Sequence, residues 1–526
     1  MVPRPVSPAP PEPLLPRFYA GRSLLITGGT GFMGKVLVER ILTTCPEVGR
    51  LHLLLRDKRG HSPHKRLAQL KQSQIFDNVR ARNPRQLDKL CVVAGDVSKP
   101  QLGIDADGLA QLREVSVVFH SAATLKFDEP LPIAIEQNVR SVERIMQICD
   151  ELPNMEAFVY VSTAYSNAEL SRVEERVYPP PAPLRQALGV ADAVPDALLA
   201  QIVPQFISPK PNTYTFTKCL AENVVQEHGA KRYPVAVFRP TVVVSALRHP
   251  FPGWIENLNG PSGVVVGAGK GLLHVFCCKD AARADLLPVD IAIDTLMAVA
   301  WEIAVDKPED VRVYNCSTCE NPTTWKRFEL ELRQHLRAYP FDNAFWYPSG
   351  FIVDTKLGQK LVETIFQSTP LYIAEYVAKI FRIKTQINLI KVSQRLVAMN
   401  DVLRFFSVRE WYFTTDNVRR LQGRLTPQDA AIFNLDPHSI NWSEHIENFV
   451  KGTRKYLLQE KDQDLEEAKR HMRKLFYIHH GVLFFTLTLV GRFALRNQYL
   501  KSFAFRTFRM LLSVASSAYT RIKPAS

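Results

Sequence analysis

At 526 residues the chain is too long for one ordinary hydrophobic core and has room for two domains with appendages. A composition of 46% hydrophobic and 22% charged residues is that of a globular protein, and it excludes both a disordered chain and a multi-pass membrane protein. The formal charge of +14 would suit nucleic acid if the basic residues lay along a helix-turn-helix or among strand aromatics, but the excess is concentrated after Glu467, beyond which no acid follows, so no nucleic-acid partner is expected.

The leader, residues 1–16, carries prolines at 3, 5, 8, 10, 11, 13 and 16, cannot form a helix and has no apolar signal-like core, so it reads as disordered. Short β-branched or leucine-rich runs then recur at 23–27, 51–55, 90–94, 115–120, 157–162, 235–239 and 311–315, between longer helix-compatible stretches. That alternation predicts an α/β architecture over 17–335, a doubly wound parallel sheet of the Rossmann kind. Residues 172–211, with a proline cluster at 179–181, read as an insertion on the substrate side and not as a sheet element. From about 348 to 456 amphipathic helical pattern replaces the strand rhythm, which predicts a helical C-terminal domain.

The segment 457–526 reads as a hydrophobic basic tail that associates with a membrane. It begins with a charged helix at 460–474 and continues as an apolar run at 475–490, short of the roughly 20 residues of a comfortable span and interrupted by His479 and His480. A second apolar stretch at 503–514 carries Arg506 and Arg509, and further cations stand at Lys501, Arg521 and Lys523. This acid-free composition suits anionic lipid headgroups, through a short hairpin or anchor or through a helix lying in the interface; the alternative is a buried helix of the C-terminal domain. The eight cysteines are scattered, and Cys316-Ser-Thr-Cys319 has no second pair, so they read as reduced thiols and no metal site is expected.

The first strand runs directly into Thr27-Gly28-Gly-Thr30-Gly31-Phe32-Met33-Gly34, followed by helix-forming residues. Glycines at 28, 31 and 34 permit a tight turn, close backbone approach to a pyrophosphate and close helix packing, and the helix N-terminus adds partial positive charge. Dinucleotide binding is therefore expected on this turn. Arg56, at the end of the second strand, suits the 2′-phosphate of NADPH, while the neighbouring Asp57 leaves open a ribose-hydroxyl ligand. Asp96 is placed to reach the adenine amino group, and Ala122 and Ala123 are small enough to let the cofactor pass.

Tyr214-Thr-Phe-Thr-Lys218 follows Pro211-Asn212 and opens a helix, which puts Tyr214 and Lys218 on one face. An ammonium beside a phenol lowers its pKa, so Tyr214 is expected to exchange a proton near neutral pH, with Lys218 also holding the nicotinamide ribose. The hydroxyl of Thr163 or Ser162, at the end of the fifth strand, is expected to stabilise the developing oxyanion.

Together these motifs resemble the extended short-chain dehydrogenase/reductase superfamily over roughly 18–325. The closer resemblance is to alcohol-forming fatty acyl-CoA reductases, carried by 27–37, Val161-Ser-Thr-Ala-Tyr165, Tyr214 to Lys218, Arg239-Pro-Thr241 and Pro252-Gly-Trp254-Ile-Glu-Asn-Leu-Asn-Gly-Pro261. It continues through Glu410-Trp-Tyr-Phe-Thr-Thr-Asp-Asn417, Asn441-Trp442 and Gly452-Thr-Arg-Lys-Tyr456. The chain departs from the family pattern at Thr241, more often serine, and at Thr414, more often aspartate.

The resemblance implies reduction of a long-chain acyl-CoA by two hydrides from NADPH, through an aldehyde, to a primary alcohol. It makes Tyr214 the proton donor, Lys218 its partner and Thr163 the group that polarises the carbonyl. It also implies a cytosol-facing body on a peroxisomal or endoplasmic reticulum membrane. Trp254 and Lys270 are expected at the substrate, the latter on a glycine-bearing loop, 267–271, that lacks the full phosphate-loop pattern but could meet the coenzyme A phosphates. The remaining tryptophans read as core. Rival readings are a reductase of the same fold acting on a sterol or nucleotide sugar, and a non-catalytic NADPH-binding scaffold; homo-oligomerisation is left open.

Overall fold

The computed structural model describes residues 13–382 and 388–496. The prolines at 3–11, the apolar stretch 503–514 and the cations Lys501, Arg506, Arg509, Arg521 and Lys523 lie outside the described residues.

Seven strands form the central sheet: β1 (Ser23–Thr27), β2 (Leu51–Leu55), β3 (Leu90–Ala94), β4 (Val115–His120), β5 (Ala157–Val161), β6 (Val235–Pro240) and β7 (Arg312–Cys316). Every pairing is parallel, in the order β3-β2-β1-β4-β5-β6-β7. Every residue of β1, β2, β4, β5 and β6 is buried, as a sheet covered on both faces requires. Side chains alternate between the two cores, with Leu24 and Ile26 in one and Leu25 in the other. The helices α1 (Phe32–Thr44) and α3 (Val289–Asp306) cover the first face, and α2 (Thr213–His228) covers the second. Strand order reverses between β1 and β4, so a crevice opens at their C-terminal ends, where a doubly wound sheet binds its ligand.

The C-terminal part is mainly helical, including α4 (Leu389–Ser407) and the helix Trp442–Gly452. Trp442, Phe449 and Val450 share one hydrophobic core with Leu24 and Ile291, so this part packs directly on the Rossmann body. It also contributes strand pairings that helical periodicity does not anticipate. Phe351–Val353 pairs with Val275–Cys277, and Tyr412–Phe413 pairs with Arg172–Val173 at the start of the insertion. The rest of the insertion forms the helices Leu184–Ala193 and Asp196–Phe206.

The last residues of the expected disordered leader are instead helical, in a short helix over Leu14–Tyr19 that includes Pro16. Leu15, Phe18 and Tyr19 bury against the core, and the otherwise unpaired N–H groups of Leu14 and Leu15 donate to the Asp429 carboxylate, both at 3.0 Å. Nearby, Arg40 and Asp294 form an ion pair at 2.7 Å, both almost fully buried, and Arg40 also donates to the Ile432 carbonyl.

The charged and apolar portions of the tail form one continuous helix, α5 (Leu465–Arg496), not a helix followed by a separate run. Arg454 fixes its approach by donating to the Pro340 carbonyl at 2.9 Å and to Asp342 at 2.8 Å. The His479 ring accepts the indole N–H of Trp346 at 2.8 Å. Beyond this contact Phe484, Phe485, Leu487 and Phe493 are exposed, and the helical stretch Asp462–Phe493 is long and apolar enough to cross a membrane by length and composition.

Candidate active site

The site starts where β1 meets α1. The Thr27 hydroxyl shares a hydrogen bond with His120 Nδ1 at 2.8 Å and accepts the N–H groups of Ser121 and Ala122 at 3.2 and 3.1 Å. It ties β1 to β4 and does not itself line the cavity, because its hydroxyl is fully used on the β4 side. Gly28 has φ +74°, and a Cβ there would lie 2.9 Å from the Ala122 nitrogen. A Cβ on Gly34 would lie 2.2 Å from the Gly28 carbonyl oxygen. Gly31 caps α1 without any side-chain hydrogen bond, so the first N–H groups of that helix remain available to an anion. This cradle fits a dinucleotide pyrophosphate, and a side chain at either Gly28 or Gly34 would collide with the main chain that shapes it.

A cavity of about 800 Å3 opens from the turn, lined there by Gly28, Thr30, Gly31, Phe32, Met33 and Gly34, then by Ser121, Ala122 and Ala123. At the nucleotide end stand Arg56, Lys58, Arg66 and Asp96, while Asp57 is not among the lining residues. Arg56 is half exposed and pairs with Asp96 at 3.3 Å. Burial raises the Asp96 carboxyl, but the Ser98 N–H and hydroxyl, followed by Arg56, outweigh it and hold the group below its ordinary value. Arg66 was missed in the sequence because it lies one helix beyond β2. It donates to the Arg56 carbonyl at 2.7 Å and to the Thr30 hydroxyl at 2.9 Å. Burial, then repulsion from Arg56, depresses the Arg66 pKa; burial, then Arg66 and its arginine neighbours, depresses that of Lys58. Such a cluster of crowded cations favours a bound anion.

The cavity continues to Thr163, Tyr214 and Lys218. Asn212 caps α2 by accepting the Thr215 N–H at 2.9 Å, which places Tyr214 in the first turn. The Thr163 hydroxyl accepts the Tyr165 N–H at 3.3 Å and lies near enough to Tyr214 to favour its phenolate, yet burial dominates and pushes the phenol well above its ordinary pKa. The sequence expectation that Lys218 lowers it is not met. Lys218 Nζ instead donates to the Val161 carbonyl at 2.8 Å and to the Tyr160 hydroxyl at 3.3 Å. Burial, opposed by Glu222, pulls the Lys218 ammonium down to about 7. Ser162 is not available to an oxyanion either. Its hydroxyl donates to Glu222 at 2.5 Å, and Glu222 is held by the buried Arg239 at 2.7 Å.

Past Tyr214 the walls become apolar. Met399, Val402, Leu403 and Phe406 of α4 line them, with Trp411 and Phe413. Tyr165 stands edge-on to Phe406, Trp411 and Phe413, with ring centroids 5.3 to 5.5 Å apart, and so joins the end of β5 to the C-terminal part. Trp411 thus serves as cavity wall as well as core, and Trp325, partly buried, lines the cavity while packing against the core. Asp285 fixes the polar side by accepting from Thr241 at 2.7 Å and Ser317 at 2.5 Å.

Two expected substrate residues lie elsewhere. Trp254 is buried against Phe251 and Tyr456, and the neighbouring Gly253 permits a backbone crossing in which a Cβ would lie 2.0 Å from the Asn448 carbonyl oxygen. The first half of that motif docks the helix Trp442–Gly452; its second half, Asn257 to Pro261, lines the cavity. Lys270 pairs with Glu460 at 2.8 Å and donates to the Asp342 carbonyl, so its ammonium is taken by the C-terminal part. The flanking Gly269 and Gly271 allow close approach of Phe341 and Trp346, not of a phosphate. No residue of 172–211 lines the cavity.

Residues 26–296 match an NAD-binding family profile described as male sterility protein, and residues 366–460 match the Sterile profile, described in the same words. Fatty acyl-CoA reductase 1 of Gallus gallus is 35% identical over 487 residues, covering 92% of this chain and 94% of that protein. Fatty acyl-CoA reductase 2 of Bos taurus is 34% identical over 469 residues, covering 89% and 90%. Among solved structures, the reductase domain of a nonribosomal peptide synthetase from Mycobacterium tuberculosis has a TM-score of 0.55 at 20% identity, over 85% of this chain and 92% of that one. The terminal R domain of the myxalamid pathway gives 0.54 at 18% identity, over 82% and 90%, a likeness of fold. With a Rossmann sheet, a glycine cradle and relatives of this identity over almost its whole length, the chain belongs to the fatty acyl-CoA reductase family and is an NAD(P)-dependent reductase.

Proposed function

We propose that this reductase converts long-chain fatty acyl-CoA to a primary alcohol with release of coenzyme A, using two equivalents of NADPH and passing through an aldehyde. The observation that carries the reading is the single cavity joining the glycine turn, the Thr163, Tyr214 and Lys218 group, and the apolar walls of α4.

The residues of the turn from Gly28 to Gly34 would hold the pyrophosphate, Asp96 the adenine, and Lys218 the nicotinamide ribose. Arg66, with Arg56 and Lys58, would hold a 2′-phosphate, which favours NADPH over NADH. NADPH, when bound, supplies the hydride for each reduction. Thr163 and Tyr214 hydrogen-bond the carbonyl oxygen as negative charge develops on it. Because burial keeps the Tyr214 phenol protonated across the physiological range, it acts as the acid and not as a standing phenolate. In the first reduction it protonates the thioester oxyanion, and the resulting hemithioacetal breaks its C–S bond to give aldehyde and the coenzyme A thiol. The Tyr214 phenolate regains a proton from solvent between the two reductions, and in the second it protonates the alkoxide, leaving the alcohol. The apolar wall excludes water from both steps.

By the same reading, 17–335 is the catalytic domain and 348–456 completes its substrate wall. The tail 457–526 attaches the body, facing the cytosol, to a peroxisomal or endoplasmic reticulum membrane. The exposed apolar side chains of α5 support the attachment. Full-length membrane-bound protein given acyl-CoA and NADPH should release one coenzyme A and one alcohol per two NADPH consumed. Aldehyde as the final product, at one NADPH per coenzyme A, would overturn the second step. Tyr214→Phe should lose about 100- to 10,000-fold in turnover, and full activity in that variant would remove Tyr214 from the mechanism.

A further inference from the structure

Beside the main cavity lies a smaller one of about 80 Å3. The two share a wall made of Val264, Phe276, Trp325 and Phe328. The aromatic members stand edge-on in series: Phe276 and Trp325 have centroids 5.7 Å apart, and Trp325 and Phe328 have centroids 6.2 Å apart. The separation between the chambers is therefore one layer of side chains. Behind it the walls are aliphatic, with Ala268, Leu273, Leu332 and Leu336.

Most polar groups of the smaller chamber are paired, the exception being the buried Trp325 indole N–H in the shared wall, which has no partner. Arg333 pairs with Glu329, and the His274 ring is hydrogen-bonded to the Ser349 carbonyl at 2.9 Å. A space whose lining is mainly apolar is suited to a hydrocarbon. Its far end, Pro348 to Ile352, directly follows Trp346 and Tyr347, the residues against which His479 and Phe476 of α5 pack.

We propose that this chamber receives the methyl end of a long acyl chain and that Phe276, Trp325 and Phe328 form the partition setting the longest chain admitted. The proposal rests on the reading of the substrate as a long-chain acyl thioester. With the thioester carbonyl at Tyr214, the chain first occupies the main cavity, and the partition side chains swing aside for the methylenes that exceed it. Each methylene moved from water into the chamber strengthens the productive complex by about fourfold.

The test uses full-length, membrane-bound enzyme and reads the ratio of kcat/KM for stearoyl-CoA to that for dodecanoyl-CoA, which is independent of how much enzyme folds. Ala268→Phe fills the smaller chamber from a position outside the main cavity and should lower the ratio at least about tenfold. Phe328→Ala merges the chambers and should shift preference toward chains longer than stearoyl. Equal loss at all chain lengths in Ala268→Phe, or ratios unchanged in both variants, would overturn the proposal. Wild-type protein that reduces no acyl-CoA of any length would instead overturn the substrate reading on which it rests.

Discussion

The two ends of the main cavity are built on different principles. The cofactor end is chiefly backbone: one contiguous turn, a helix N-terminus with no side-chain cap, and two glycines at which any Cβ would collide with main chain. The end proposed for the acyl chain is side chain, assembled from Asn257 to Pro261, from Phe276, from Trp325 and Phe328, and from α4 through Phe413. Backbone geometry of the first kind admits one residue type and so marks the sequence. An apolar wall tolerates many residues of about the right volume and leaves no mark.

The contrast is broken most severely by Gly34→Ala. Its methyl group would sit 2.2 Å from the Gly28 carbonyl oxygen and 2.8 Å from the Gly29 Cα, so the turn must open. Cofactor affinity should fall by about 100-fold or more, equivalent to roughly 3 kcal/mol, with far-UV circular dichroism little changed. Wild-type affinity in a calorimetric titration would show that the cradle is not the binding element.

Arg66→Ala sharpens the comparison, because it tests the part of the cofactor end made of side chains. NADPH should weaken by about 10- to 100-fold and NADH hardly at all, as expected for loss of charge-assisted hydrogen bonds. Arg56→Ala should cost less, since Arg56 is half exposed and already paired with Asp96. Equal weakening of both cofactors by Arg66→Ala would move the 2′-phosphate elsewhere.

Lys218 stands where the two ends meet, and its effect is on the pH dependence of stability. Its folded pKa is depressed to about 7 from 10.5. Between those values the unfolded chain binds more protons than the folded one, so this group makes unfolding harder as pH rises, at most about 1.4 kcal/mol per pH unit. Below about pH 7 the group is charged in both states and the contribution levels off. Urea titrations of cofactor-free protein at pH 7, 8 and 9 should show that rise, and Lys218→Met should reduce its slope. An identical slope in the variant would mean that Lys218 remains charged in the fold.

The smallest effect on catalysis is expected from Lys270→Ala. Losing the Glu460 pair should cost about 1–3 kcal/mol of stability while the KM for acyl-CoA stays as in wild type. A raised KM would return Lys270 to the substrate site.

What could be read in advance follows from the same contrast. The seven sheet strands were legible to within a residue at either end because each is a short, mostly apolar run, and five of the seven are buried along their whole length. The spacing of Tyr214 and Lys218 likewise survives as one face of α2. Spacing cannot say where a flexible ammonium ends, however, and Lys218 turns to Val161 and Tyr160 instead of stabilising a phenolate. Ser162 and Thr163 were equivalent in sequence. The chain just beyond β5 separates them, sending the Ser162 hydroxyl to Glu222 and leaving the Thr163 hydroxyl on the Tyr165 N–H, in the cavity wall with Tyr214. Trp254 and Lys270 misled for a common reason: each belongs to a glycine-bearing segment whose freedom serves a crossing with the C-terminal part, a long-range contact with no local signature.

Asp429 receives the N–H groups of Leu14 and Leu15 across separations of 415 and 414 residues. During synthesis the first helix is therefore made long before the carboxylate that secures it. At roughly 5–20 residues per second the interval is about 20–80 seconds, in which the Leu14 and Leu15 N–H groups await their acceptor although Tyr19 can already donate to the Met297 carbonyl of α3. A fragment ending after β7 would keep the Tyr19 contact with α3 but leave the start of the first helix permanently without the carboxylate that caps it.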